Sequence, residues 1–182
     1  MSARLDSYLK SNNILCTNLF DFCKNSNTSD AIIEFLDYVY SSLDSKQSTI
    51  AVYQDISKGF DTVNHNILMS KLLHNGIRGV MQHWFESYLS NRKQYVSIKN
   101  CSSSISNITL GVPQCSVLGP VLFLLSINGM YKSLNQMGFV HFAGDKTVFA
   151  SDSDISNVHA TVNRELVGVD NWLKANRLSL RQ

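Results

Sequence analysis

From Asp30 to Leu43 the apolar residues Ile32, Ile33, Phe35, Leu36, Val39, Tyr40 and Leu43 recur three and four positions apart. That is the period of one helix face, and Thr28-Ser29 just before it supplies a candidate cap. The period then changes. Thr49 to Tyr53 is β-branched and aromatic, and alternation places Ala51, Tyr53 and Asp55 on one side, with Asp55 at or just past the strand end. Helical spacing returns at Ile67, Leu68, Leu72 and Leu73, stops at Asn75-Gly76, and resumes through Val80, Trp84, Phe85, Tyr88 and Leu89. Gln94 to Ile98 and Ser106 to Leu110 read as two strands joined by a polar connector, an antiparallel hairpin.

Beyond Pro113, Ser116 to Ile127 reads as a largely buried helix in which Pro120 must lie in the first turn. Phe139 to Phe142 and Thr147 to Ala150 are two short strands across a Gly144-Asp145 turn. Ile155, Val158, Val162, Leu166, Val169, Trp172 and Leu173 then mark a helix capped by Asp154, and Leu178 to Leu180 begins a further element. The pattern predicts an α+β fold, an antiparallel sheet with helices packed on it.

Composition narrows the classes. With 182 residues and 44% hydrophobic content the chain can bury a core, and nothing marks a linker or an internal repeat. Net charge is +2 and the sequence pI is near 8.3, which permits a nucleic-acid partner without demanding one. Met1 to Lys10 carries Arg4, Asp6 and Lys10 and lacks an apolar centre, so no secretory signal is expected and the compartment implied is intracellular, cytoplasm or nucleus. The longest apolar run, Val117 to Ile127, is too short to span a bilayer and is broken by Gly119, Pro120 and Ser126. Cys16, Cys23, Cys101 and Cys115 have no zinc spacing, and the five histidines form no cluster, so reduced thiols and structural or surface histidines are expected.

Three segments carry candidate chemistry: Tyr53-Gln54-Asp55-Ile56-Ser57-Lys58-Gly59-Phe60-Asp61, Gly111-Val112-Pro113-Gln114-Cys115-Ser116-Val117-Leu118-Gly119-Pro120, and Val140-His141-Phe142-Ala143-Gly144-Asp145-Lys146-Thr147-Val148-Phe149. In this order they resemble the reverse transcriptase domain of non-LTR, jockey-like retrotransposons, over nearly the whole chain. The resemblance implies a polymerase palm with part of the fingers: residues 1–48 as fingers-side helices, 49–182 as a palm-like core, and a chain that ends before the thumb. It implies an RNA-directed DNA polymerase that takes an RNA template, a DNA primer and dNTPs, with two Mg²⁺ ions. Asp55 and Asp145 would be the catalytic, metal-binding carboxylates. Phe60 matches the bulky residue under the sugar, although a phenylalanine after a strand is equally a core residue. Gln114 matches the Pro-Gln-Gly segment lining the template and nucleotide pocket.

The same resemblance marks departures. Gly144 stands where the family has a metal-binding aspartate, the ligand shared by both ions. Cys115 replaces the glycine of Pro-Gln-Gly, and Gly129 an aspartate. Cys23 and Ser26 replace two arginines, the first of which reaches the triphosphate, leaving Lys24 as a partial substitute. Magnesium takes oxygen ligands, so a lost carboxylate weakens metal binding directly. The expectation is a weak or inactive polymerase remnant, the alternative being a non-catalytic nucleic-acid-binding module that binds through Arg78, Arg92, Lys93 and Lys99.

Overall fold

The computed structural model describes residues 2–20, 27–142 and 145–181. In chain order the elements are α1 (Ser2–Ser11), α2 (Thr28–Asp44), β1 (Ser48–Asp55), α3 (Gly59–Thr62), α4 (His65–His74), α5 (Val80–Leu89), β2 (Arg92–Gln94), β3 (Ser97–Ile98), β4 (Cys101–Ser102) and β5 (Ser106–Ile108). α6 (Gly119–Ile127), a 3₁₀ helix (Asn128–Ser133), β6 (Gly138–Phe142), β7 (Asp145–Asp152) and α7 (Ile155–Ala175) complete it. They fall into two compact units, residues 1–57 with 127–182 and residues 58–126. No helix among the described residues is long and apolar enough to cross a membrane.

The first unit is built on a three-stranded sheet in the order β1-β7-β6, antiparallel throughout. One face carries Val52, Phe139, Val148 and Ala150 against Val158 and Val162 of α7. The other carries Ala51, Val140 and Phe149 against Ala31, Phe35 and Tyr38 of α2. Successive strand residues point to opposite faces, so β7 serves both layers at once. α2 begins two residues before the periodic stretch that starts at Asp30, because the cap is Asn27 and not Thr28 or Ser29. Its side chain accepts from the Asp30 amide while the Asp30 carboxylate accepts from the Asn27 amide, a reciprocal capping box. Asp154 caps α7 as expected, through the Ser156 amide.

Both sheet edges receive a short partner. Phe20 N–H donates to His141 O and His141 N–H to Asn18 O, each at 3.1 Å, beside β6. Asn128 ties down the chain leading there, its amide donating to Ile14 O while its Oδ1 accepts from Cys16 N–H. At β1, Leu180 opposes Ile56 in an antiparallel bridge. Such partners leave less exposed backbone for another strand to pair with.

The second unit, residues 58–126, holds α3 to α5, the hairpin strands and most of α6. Leu68 and Leu72 of α4, Phe85 of α5, and Leu122 and Phe123 of α6 are fully buried. Pro120 is the second residue of α6, where a missing N–H costs nothing. The hairpin differs from expectation: β2 pairs β5 and β3 pairs β4, while Tyr95 and Val96 lie between strands. Both are 62% exposed. Their β propensity has little packed surface to act through, and it is that surface which gives such propensity its effect.

One core residue breaks the apolar pattern. Lys146, 1% exposed, lies on the α7 face of β7 with its Nζ 2.6 Å from Met130 Sδ. Gln54 and His141 flank it in register on β1 and β6, and Gln54 Oε1 is buried with no hydrogen-bond partner among the described residues. Burial pulls the Lys146 ammonium from 10.5 down to about 8. Burial does the same to Lys71, whose Nζ donates to Ser126 O.

Below pH 8 both states hold the proton and the charged amine is penalised in full. From 8 to 10.5 only the unfolded chain holds it, so stability rises with pH. A depression of this size corresponds to about 3 kcal/mol at neutral pH. Lys146→Met is expected to raise the urea midpoint at pH 7 and flatten part of the rise between pH 8 and 10.5, Lys71 supplying the remainder. A variant less stable at pH 7 would contradict this account of the buried amine.

Candidate active site

β1 and β7 pair without interruption from Ser48↔Asp152 to Asp55↔Asp145. Residues directly opposite in an antiparallel pair share a face, with Cβ atoms about 4.5–5.5 Å apart. The register therefore sets the two aspartates side by side at one end of the sheet, on the face of Ala51 and Phe149. Like charges so placed repel, and a cation between them removes the penalty. The Asp55 side chain is 42% exposed, and the Arg181 guanidinium lies 3.5 Å from its Oδ2. Asp145 is exposed.

Gly144 and Lys24 lie outside the described residues, as do Cys23 and Ser26. Among the described residues no group of three or more His, Cys, Asp or Glu side chains could hold a metal. Asp55 and Asp145 alone suit one hard divalent ion, with water completing its shell; they do not make the ligand set of a metal pair.

The remaining candidates belong to the second unit. Phe60 is half-buried and stacks on Phe123 with ring centroids 4.4 Å apart, so it packs as the core phenylalanine its position also allowed. Gln114 is exposed, and its Nε2 donates to Asp61 Oδ1 at 3.2 Å. The Gly-Val-Pro-Gln segment is clamped onto α3 and the turn after it: Gly111 N–H donates to Val63 O and Val112 N–H to Phe60 O, both at 2.8 Å, and His65 Nε2 meets Gly111 O at 2.7 Å. Gly111 has φ +86°, and a Cβ there would stand 2.8 Å from Asp61 O. Only glycine permits this approach.

Three features escaped the sequence reading. A cavity of about 600 Å³ opens in the second unit, with Lys58, Asp61, Arg92, Gln94, Asn107 and Gln114 on its wall. Arg92 is steadied over the Tyr88 ring at 5.4 Å. The unit carries six Lys and Arg against Asp61 and Glu86, net +4, and no Asp or Glu occurs from Ser87 to Phe142. That charge asymmetry is readable from the sequence by counting within segments. The Arg181 contact with Asp55 is not, since it depends on the pairing of a distant stretch.

The family profile described as reverse transcriptase (RNA-dependent DNA polymerase) matches residues 1–182. Among curated proteins, a "Probable RNA-directed DNA polymerase from transposon BS" of Drosophila melanogaster is 32% identical over 123 residues, 66% of this chain and 13% of the relative. The RNA-directed DNA polymerase from mobile element jockey of the same species is 30% identical over 114 residues, 61% of this chain and 12% of that protein. The chain thus spans about an eighth of the length of the relatives it matches. A solved structure of telomerase from Candida albicans, in complex with the TWJ fragment of telomeric RNA, superposes over 100% of this chain and 35% of its own at TM-score 0.66 and 14% identity, a likeness of fold.

Cys115 stands at φ +56°. A side chain in the left-handed region costs about 1–2 kcal/mol, of which glycine's extra flexibility returns a part. Cys115→Gly is expected to stabilise the protein by about 0.5–1 kcal/mol in thermal or urea unfolding. Destabilisation would mean that the Cys115 side chain makes a contact worth more than its backbone strain.

Proposed function

Since the chain belongs to the reverse transcriptase (RNA-dependent DNA polymerase) family, we propose that it carries the nucleotidyl-transfer centre of a non-LTR retrotransposon polymerase, weakened at its metal site. The observation behind this reading is the Asp55↔Asp145 register, two carboxylates facing each other at one sheet end. In the reaction a primer 3′ hydroxyl attacks the α-phosphorus of a dNTP and pyrophosphate leaves. Divalent cations, when bound, lower the pKa of the attacking hydroxyl and neutralise charge on the phosphates. Asp55 and Asp145 supply the protein's share of ligands.

Gly144 supplies no side-chain oxygen, so the reading is of an enzyme whose transition-state charge is poorly met. Losing one electrostatic donor of this kind costs on the order of 10²-fold or more in rate. Residues 1–48 as fingers-side helices and 49–182 as palm belong to the same reading, with Phe60, Gln114 and Lys24 as the nucleotide-binding residues that the family resemblance implies.

An RNA template and DNA primer are the partners this implies. The net charge of +4 over residues 58–126, with Arg92, Lys93 and Lys99 along a hairpin whose Tyr95 is exposed, supports contact with a single strand. Binding of this kind weakens with salt, at a slope of about −0.7 per phosphate contacted. Replacing Arg92, Lys93 and Lys99 with alanine is expected to flatten the slope by about two units in a fluorescence-anisotropy titration with a single-stranded RNA. An unchanged slope would put the contact elsewhere.

Primer extension on an RNA template tests the chemistry. Extension with Mg²⁺ is expected to be at the detection limit and with Mn²⁺ slow, vanishing in Asp55→Asn. Gly144→Asp is expected to raise it by tenfold or more without full activity, because Cys23, Ser26 and Cys115 still depart from the family. Synthesis that survives Asp55→Asn would remove the site from these residues. Salt-sensitive binding without synthesis in any variant would leave a binding module.

A further inference from the structure

We propose that Arg181 is a tethered counter-cation for the Asp55–Asp145 pair and competes there with a divalent metal ion. This rests on the reading of those two aspartates as metal ligands, and it concerns a residue to which that reading gives no part.

The contact is built from the backbone outward. Arg181 N–H donates to Asp55 O at 2.9 Å, Ser57 N–H donates to Ser179 O at 2.9 Å, and Leu180 opposes Ile56 between them. The Arg181 side chain therefore starts beside Asp55's own peptide unit. Its Nη1 lies 3.5 Å from Asp55 Oδ2. A charge held on so short a tether has an effective concentration in the millimolar range, comparable to that of a divalent ion supplied in solution.

The electrostatics point the same way. Asp55 and Asp145 face each other in register, so two carboxylates share one exposed end of the sheet. A guanidinium at that end relieves their repulsion when no ion is bound, and its positive charge opposes the arrival of an ion. Lys146, the neighbouring cation in sequence, lies on the opposite, buried face and cannot serve. Arginine stays charged at any working pH, so the competition does not switch off in the neutral range. The pair is exposed, with Arg181 at 75% and Asp55 at 42%. Its effect is therefore confined to the roughly two- to fivefold range that solvent-screened ion pairs reach.

The test is a Mn²⁺ titration followed by electron paramagnetic resonance on the whole chain and on Arg181→Ala, Arg181→Glu, Asp55→Asn and the Arg181→Ala/Asp55→Asn double variant. Circular dichroism checks that each is folded. Arg181→Ala is expected to bind Mn²⁺ about two- to fivefold more tightly. Arg181→Glu, which places a third carboxylate at the pair, is expected to bind more tightly still, and both gains depend on Asp55. A purely structural role for Arg181 would loosen the site and weaken binding in both variants, which overturns the proposal. Unchanged affinity in Arg181→Ala and Arg181→Glu, with Asp55→Asn abolishing binding, also overturns it and leaves Asp55 as a ligand. Binding indifferent to Asp55 in every protein overturns this proposal together with the reading it rests on.

Discussion

The uninterrupted antiparallel pairing of β1 with β7 is the constraint on which the first unit depends. Eight residues of each strand are matched, and a slip of one would send Val148 and Ala150 out of the α7 core and Phe149 out of the α2 core at once. Because both faces are buried, the register is fixed from both sides. The placement of Asp55 opposite Asp145 is therefore a consequence of the hydrophobic layers. It does not need the aspartates to attract each other, and they repel.

The fold of this unit therefore rests on its hydrophobic layers and asks nothing of the residues at the sheet end. Asp55 and Asp145 contribute repulsion at the sheet end, whereas Val52, Val148 and Phe149 contribute burial. In the second unit, the tight passage around Gly111 depends on an absent Cβ that lets the backbone lie against Asp61. Cys115 holds a left-handed backbone conformation that suits glycine better.

The strand and helix frame was legible in the sequence because burial imposes a period on it. α2, α7 and β6 were legible, β7 only in its centre at Thr147 to Ala150 because Asp145 pairs within the strand and not in the expected turn, and the alternation in β1 led to Asp55. Three things were hidden. α1 buries chiefly Leu5 and Leu9, too few apolar positions to make a stripe. Tyr95 and Val96 favour a strand but lack a packed surface. Lys146 sits where the pattern demands an apolar residue, and nothing in the structure explains its presence. Of the candidate site, the two aspartates could be paired by reasoning from motif order, while the Arg181 contact arises from a bridge between distant segments that no local pattern encodes.

On the proposed function, the sheet end offers one place for a divalent ion, made by two opposed carboxylates. Anomalous scattering from crystals soaked in Mn²⁺ measures this directly. One peak between Asp55 and Asp145 is the result the account predicts. Two peaks about 3.5–4 Å apart, the spacing of a two-metal centre, would contradict it.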